Sequence, residues 1–180
     1  MDAPERDSHH NPENKAEQIK LSFEPLSADT LQEALALAKT IFPYDYEKLE
    51  EAYYSSINPD DAGWQKRRML KYFAVKDEET GRIIAITGLY NWKVHAEDEV
   101  WLGWFGVSPN MRGQGIGKRV LEWTMQKARE KGYKKFRLWT TDDKGEQDAQ
   151  KLYDDMGMSI YKQEKNTEKE YTTLYREINL

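Results

Sequence analysis

Hydrophobic positions recur with two periods along this chain, and the switches between them mark the elements. Residues 19–23 alternate apolar and polar, with Ile19, Leu21 and Phe23 on one face, as a strand does. The following stretch, residues 27–42, changes to helical spacing: Leu31, Leu35, Ala38 and Phe42 share a face, and Asp29 is a candidate cap. Residues 43–70 mix aromatics and charges, predicting one or two short helices around a turn at Asn58, Pro59 and Asp60. Two strands then flank Glu79, Thr80 and Gly81 as a hairpin, with Tyr72 to Val75 before the turn and Ile83 to Tyr90 after it.

Residues 99–107, EVWLGWFGV, read as one buried strand containing two small residues, Gly103 and Gly106, where a backbone approaches closely. Ser108 and Pro109 end it. From Gly115 an amphipathic helix begins, turning Leu121, Met125 and Ala128 inward and stopping at Gly132. A strand over 134–141, a helix over 146–156 closed by Gly157, and strands over 158–164 and 170–178 complete the chain. A meander followed by alternating strands and helices indicates an α/β or α+β domain with a mixed sheet.

Composition narrows the setting. At 180 residues, with 38% hydrophobic and 12% aromatic residues, the chain is sized for one folded domain over 19–180. Residues 1–18 hold nothing large to bury and read as a disordered arm, in which His9 and His10 lack partners at metal-ligand spacing. No metal site is expected. A net charge of −5 speaks against general attraction to nucleic acid. With no cysteine, disulfides and thiolate nucleophiles are excluded, and no apolar run approaches the roughly 20 residues that span a bilayer. No membrane association is expected, and the cytoplasm is the default location.

The chemistry concentrates in VWLGWFGVSPNMRGQGIGKRVLEW, where a strand passes through a tight turn into a helix. Gly113, Gly115 and Gly117 leave the backbone bare, and a helix start presents about four unpaired N–H donors with a partial positive charge. Arg112 and Lys118 flank this cradle and suit a pyrophosphate better than a single carboxylate. The spacing departs from an ATP-binding loop, because Lys118 is followed by Arg119 and not by Ser or Thr. Taken alone, such a turn also serves as a plain structural corner.

A second feature lies downstream: Ala149, Leu152, Tyr153, Gly157 and Met158, a helix with a tyrosine ahead of a glycine stop. Together the two segments resemble the GNAT superfamily of N-acetyltransferases over roughly residues 19–178. Arg112, Gly115 and Gly117 match its acetyl-coenzyme A signature of Arg or Gln, two residues, Gly, one residue, Gly or Ala. The resemblance implies a mixed, mostly antiparallel sheet of six to seven strands flanked by about four helices. It also implies that acetyl-CoA serves as co-substrate, with its pantetheine in a wedge between the strand ending at Val107 and the strand 135–140.

Cofactor contacts so implied are Phe105, Val107, Arg112, Gly113, Gln114, Gly115, Ile116, Gly117 and Lys118. The implied reaction is direct attack by a neutral amine on the thioester, with Tyr153 protonating the departing thiolate. Trp101 stands near the place where relatives carry a basic glutamate. Glu99, two residues earlier and on the same strand face, is the candidate base through water, ahead of Glu97 and Asp98. Glu146 replaces an asparagine that touches pantetheine in relatives.

The acceptor, a small-molecule amine or a protein amine, is expected near residues 41–69, where Tyr44, Tyr46, Tyr53, Tyr54 and Trp64 crowd beside carboxylates. The same aromatics also suit plain packing. A non-catalytic acyl-CoA sensor or scaffold is the alternative function. A dinucleotide-binding domain conflicts with the late position of the glycine turn. A homodimer is compatible with the final strands.

Overall fold

A computed structural model describes residues 19–60 and 65–180; the expected disordered arm 1–18, with His9 and His10, and Trp64 lie outside the described residues. Helix α1 (Ala28–Ile41) is entered from Ser27, not from Asp29. The Thr30 hydroxyl accepts from the Ser27 N–H at 3.1 Å, half of a capping box, which leaves Asp29 in the first turn where its charge suits the helix dipole. Helix α2 (Tyr46–Ile57) ends where Asn58 turns back on the Tyr54 carbonyl at 2.9 Å.

From Arg67 the chain is extended. Strand β2 (Arg67–Asp77) starts at Arg67, well ahead of the predicted Tyr72, because Arg67 to Leu70 find partners in Trp92 to Tyr90 of β3 (Ile83–Trp92). Long-range pairing and the burial of Met69 and Leu70 override the charged local sequence. The intervening turn is closed by the Asp77 carboxylate, which accepts from the Glu79 N–H and the Thr80 hydroxyl, with Gly81 at φ +70°.

With β1 (Leu21–Pro25), β4 (Glu99–Leu102), β5 (Gly106–Val107), β6 (Lys135–Thr141), β7 (Ser159–Lys165) and β8 (Thr172–Asn179), the described residues form one eight-stranded sheet. Its order is β1-β2-β3-β4-β6-β8-β7, with β5 pairing β3, and only the β4–β6 pair is parallel. The count exceeds the expected six to seven because residues 99–107 are two strands, not one. At the break the Gly103 N–H still bonds the Gly88 carbonyl at 2.8 Å, but the Trp104 N–H leaves the ladder.

Side-chain alternation places the core on both faces. Helices α1 and α2 cover Leu70, Tyr72, Ala74 and Ile86. On the opposite face α3 (Ile116–Glu130) and α4 (Gln147–Asp155) pack on Leu89, Val100, Leu102, Phe136 and Leu138. One polar pair lies within this second layer: the Thr124 hydroxyl donates to the Val120 carbonyl at 2.7 Å and accepts from Thr87 at 2.8 Å, so neither buried hydroxyl is left unbonded. Among the described residues, no helix is long and apolar enough to cross a membrane.

Candidate active site

The break between β4 and β5 organises the site. Tyr72 reaches across β3 to make it: its ring lies over Gly88, where any Cβ would overlap it, and a Cβ at Gly103 would sit 2.6 Å from its hydroxyl oxygen. That hydroxyl accepts from the Trp104 N–H at 3.2 Å. The phenol is buried, and burial pushes its pKa up to about 12, so it remains a neutral acceptor at working pH. Tyr53 packs against it at 4.8 Å between ring centroids. Sequence reading noted Gly103 as a place of close approach but did not identify Tyr72, whose partners lie on two other strands.

Past the break, Phe105 and Val107 face the start of α3. The intervening turn carries Gly113 at φ +71° and Gly115 at φ +73°, a left-handed conformation that favours glycine. Gly115 is the residue that enters α3. The Arg119 N–H reaches the Gly115 carbonyl at 3.3 Å, whereas the N–H groups of the turn before it have no helical carbonyl behind them. Apart from its chain neighbours, no atom lies within 4 Å of where a Cβ on Gly113 would be, so the turn is open on this side. Arg112 and Lys118 are exposed beside it, the Arg112 Nε also donating to the Val107 carbonyl at 3.2 Å. Bare amides, a helix N-terminus and two cations fit a pyrophosphate.

The two sequence segments meet in space. A Cβ on Gly117 would make only ordinary contacts, with Leu152 of α4 at 3.6 Å, Val107 at 3.8 Å and Phe105 at 3.9 Å. An alanine therefore fits there, as the Gly-or-Ala position of the signature allows. Tyr153, next to Leu152, is 6% exposed, within the cluster that contains Leu121, Met125 and Leu138. Burial first, and the nearby Glu146 second, raise its pKa well above the ordinary phenol value, against an opposing effect of Arg176.

Helix α4 is fastened to the sheet by Arg176, itself 4% exposed. Its guanidinium donates to Asp154 at 2.6 Å, to Gln150 at 2.6 and 3.0 Å and to the Met158 carbonyl at 3.0 Å. Gln150 in turn donates to Thr140 and to the Thr141 carbonyl, and Thr140 donates to Glu146 at 3.1 Å. Glu146 thus sits at the end of β6, on the wall of the wedge.

Glu99 is 5% exposed, buried at the start of β4. Its Oε2 accepts from Arg137 at 2.5 Å and its Oε1 from the Trp101 indole at 3.1 Å. His95 Nδ1 lies 3.9 Å from Oε1, and burial lowers the pKa of that imidazole more than Glu99 raises it. Glu97 reaches Arg68 at 3.4 Å but is itself exposed at the surface. Of the aromatics expected around an acceptor, Tyr53 is fully buried and serves packing, Tyr46 donates to Glu50 at 3.2 Å, and Tyr44 projects into solvent at 98% exposure.

The Acetyltransferase (GNAT) family profile matches residues 31–158, more than half of the chain. The chain belongs to the GNAT acetyltransferase family. Among curated proteins none matches it in sequence. Solved GNAT structures share the fold: a GNAT-family protein of Desulfovibrio desulfuricans superposes with TM-score 0.75 at 12% identity, covering 89% of this chain and 99% of that one. A GNAT acetyltransferase of Elizabethkingia anophelis with acetyl-CoA bound gives 0.68 at 20% identity, covering 89% and 98%. The ribosomal-protein-S18-alanine N-acetyltransferase of Escherichia coli gives 0.66 at 15% identity, covering 89% and 94%.

Proposed function

We propose that this GNAT protein transfers an acetyl group from acetyl-CoA to a primary amine by direct attack, in the cytoplasm. The observation that supports the reading is the approach of the glycine turn to α4 at Gly117 and Leu152, the residue before the buried Tyr153. Acetyl-CoA supplies the activated acyl group when bound. The turn from Arg112 to Lys118 holds the pyrophosphate, backbone groups of Phe105 and Val107 hold the pantetheine, and Tyr153 holds the proton for the leaving sulfur. Calorimetric titration with acetyl-CoA, paired with thiol release over a panel of amines, tests it. Binding without release from any amine would leave the sensor or scaffold reading instead.

Both carboxylate oxygens of Glu99 already accept hydrogen bonds, from the Trp101 indole and from Arg137. Glu99→Gln separates its two possible duties. A base acting through water predicts that kcat drops about a hundredfold and that the pH–rate profile loses its acidic limb. A carboxylate that only steadies Arg137 and Trp101 predicts a raised KM for the amine and an unchanged profile.

Tyr72 deserves a matching substitution, since its hydroxyl holds the backbone from which Phe105 and Val107 project. Tyr72→Phe keeps the ring over Gly88 and removes only the acceptor of the Trp104 N–H. We expect a stability loss of about 1–2 kcal/mol from the unpaired amide, and a kcat/KM for acetyl-CoA reduced about tenfold. Loss of stability with intact kcat/KM would make the hydroxyl purely a folding contact.

A further inference from the structure

Beyond the end of β4, one face of the sheet carries an open ring, Trp139, that neither the core nor the reaction outlined above uses. Strands β4 and β6 are paired only from Glu99↔Lys135 to Trp101↔Arg137. The next residue of β6 on that face is Trp139, which therefore flanks the mouth of the wedge on the side of α1 and α2. Strand β6 is interior to the sheet and its other face is buried through Phe136, Leu138 and Thr140, yet Trp139 is 52% exposed. A tryptophan so open in the middle of a sheet has a face to offer.

Its neighbours form a floor. The Trp139 indole lies near enough to the Tyr90 hydroxyl on β3 to lower its pKa against the upward push of burial. Tyr90 stacks on Trp101 at 6.3 Å and 28°, and Trp101 meets Tyr175 edge-on at 6.4 Å. Tyr175 is the cross-strand partner of Trp139 in β8. The charges beside these rings are compensated: Arg137 pairs with Glu99 and with Glu177 at 3.0 Å, Lys135 pairs with Glu177 at 3.6 Å, and Glu164 pairs with Lys162 and Tyr175. No carboxylate of this group is left to draw a polycation, and no cation to draw an acidic chain.

We infer that this floor is the acceptor site and that it selects a primary amine carried on a flat, apolar ring system, with Trp139 as the residue that sets this preference. The inference rests on the acetyl-transfer reading for the purpose of the site, though ring binding is measurable without turnover. A flat ring stacks on the open indole face and the neighbouring tyrosines, where the aromatic quadrupoles favour offset or edge-on contact. Its amine then lies toward the wedge between β4 and β6, where the acyl group is presented. Spermidine would need unpaired carboxylates at the floor, where Glu99, Glu164 and Glu177 are all engaged.

The probes are 2-phenylethylamine, spermidine and an alanine-led hexapeptide, each titrated calorimetrically against the full chain in the presence of coenzyme A and assayed for thiol release with acetyl-CoA. The expected result is tighter binding and higher kcat/KM for 2-phenylethylamine than for either other probe. Trp139→Ala is expected to raise KM and Kd for that amine about tenfold, with Trp139→Phe recovering part of the loss and the acetyl-CoA Kd unchanged. Ring binding that depends on Trp139 without thiol release upholds the floor while sinking the transfer reading. A preference for spermidine or the peptide, no binding of 2-phenylethylamine, or an unaltered Kd in Trp139→Ala overturns the floor.

Discussion

Tyr153→Phe is expected to lower kcat about a hundredfold while leaving the acetyl-CoA Kd and the unfolding midpoint near their parent values. The substitution removes one oxygen from a ring held by its neighbours. The ring lies in one buried cluster with Leu121, Met125 and Leu138, and Arg176 ties α4 to the sheet through Gln150, Asp154 and the Met158 carbonyl. The chemistry, in contrast, loses its proton source. Amine attack expels a thiolate, which leaves readily only if a donor stands at the wedge. Because burial and Glu146 hold the Tyr153 pKa well above the ordinary phenol value, the group stays protonated through neutral and mildly basic pH. Rates should therefore show no basic-side decline from Tyr153 below the ordinary phenol range, and any rise with pH reports a group other than Tyr153. Steady-state thiol release, calorimetry and thermal unfolding on the same preparation measure all three quantities. A parental kcat in Tyr153→Phe removes the acid role.

How much of this was legible in the chain depends on whether the determining contacts are local. The glycine turn and the α4 tyrosine were readable because helix starts and stops are written within four or five residues: Gly115 enters α3, and Gly157, at φ +74°, ends the α4 segment. The hairpin turn was readable for the same reason. Three features were not. The start of β2 at Arg67 depends on pairing with Trp92 and Asn91, more than 20 residues away. The split of residues 99–107 depends on a hydroxyl from β2 capturing the Trp104 N–H across an intervening strand. The burial of Glu99 was not legible, because its partner Arg137 lies on β6, brought alongside only by the parallel crossover through α3. The aromatics of residues 41–69 show the same limit, since Tyr53 lies in the core and Tyr44 in solvent, a difference that their spacing does not reveal.

The glycine cradle makes its strongest prediction when the two ends of α3 are compared. Gly115 at the start, φ +73°, and Gly132 just past the end, φ +86°, both occupy the left-handed region. Alanine at either position bears the same steric penalty, on the order of 1–2 kcal/mol, so Gly115→Ala and Gly132→Ala should lower the unfolding midpoint by similar amounts. Only the first should disturb the cofactor. An alanine at residue 115 relieves its strain by rotating the adjoining peptides, which turns the amides of Gly115 and Ile116 away from the bound diphosphate. Each hydrogen bond to a charged group contributes about 1.5–3 kcal/mol, so the acetyl-CoA Kd should rise about tenfold to a hundredfold. At Gly132 the same rotation disturbs no ligand, and the Kd should stay at the parent value. Calorimetric titration of both variants, with thermal unfolding as the control for strain, separates a cradle from a corner. Equal loss of stability with equal, undiminished affinity would mean that the turn serves only to join β5 to α3, and the diphosphate would have to be held elsewhere.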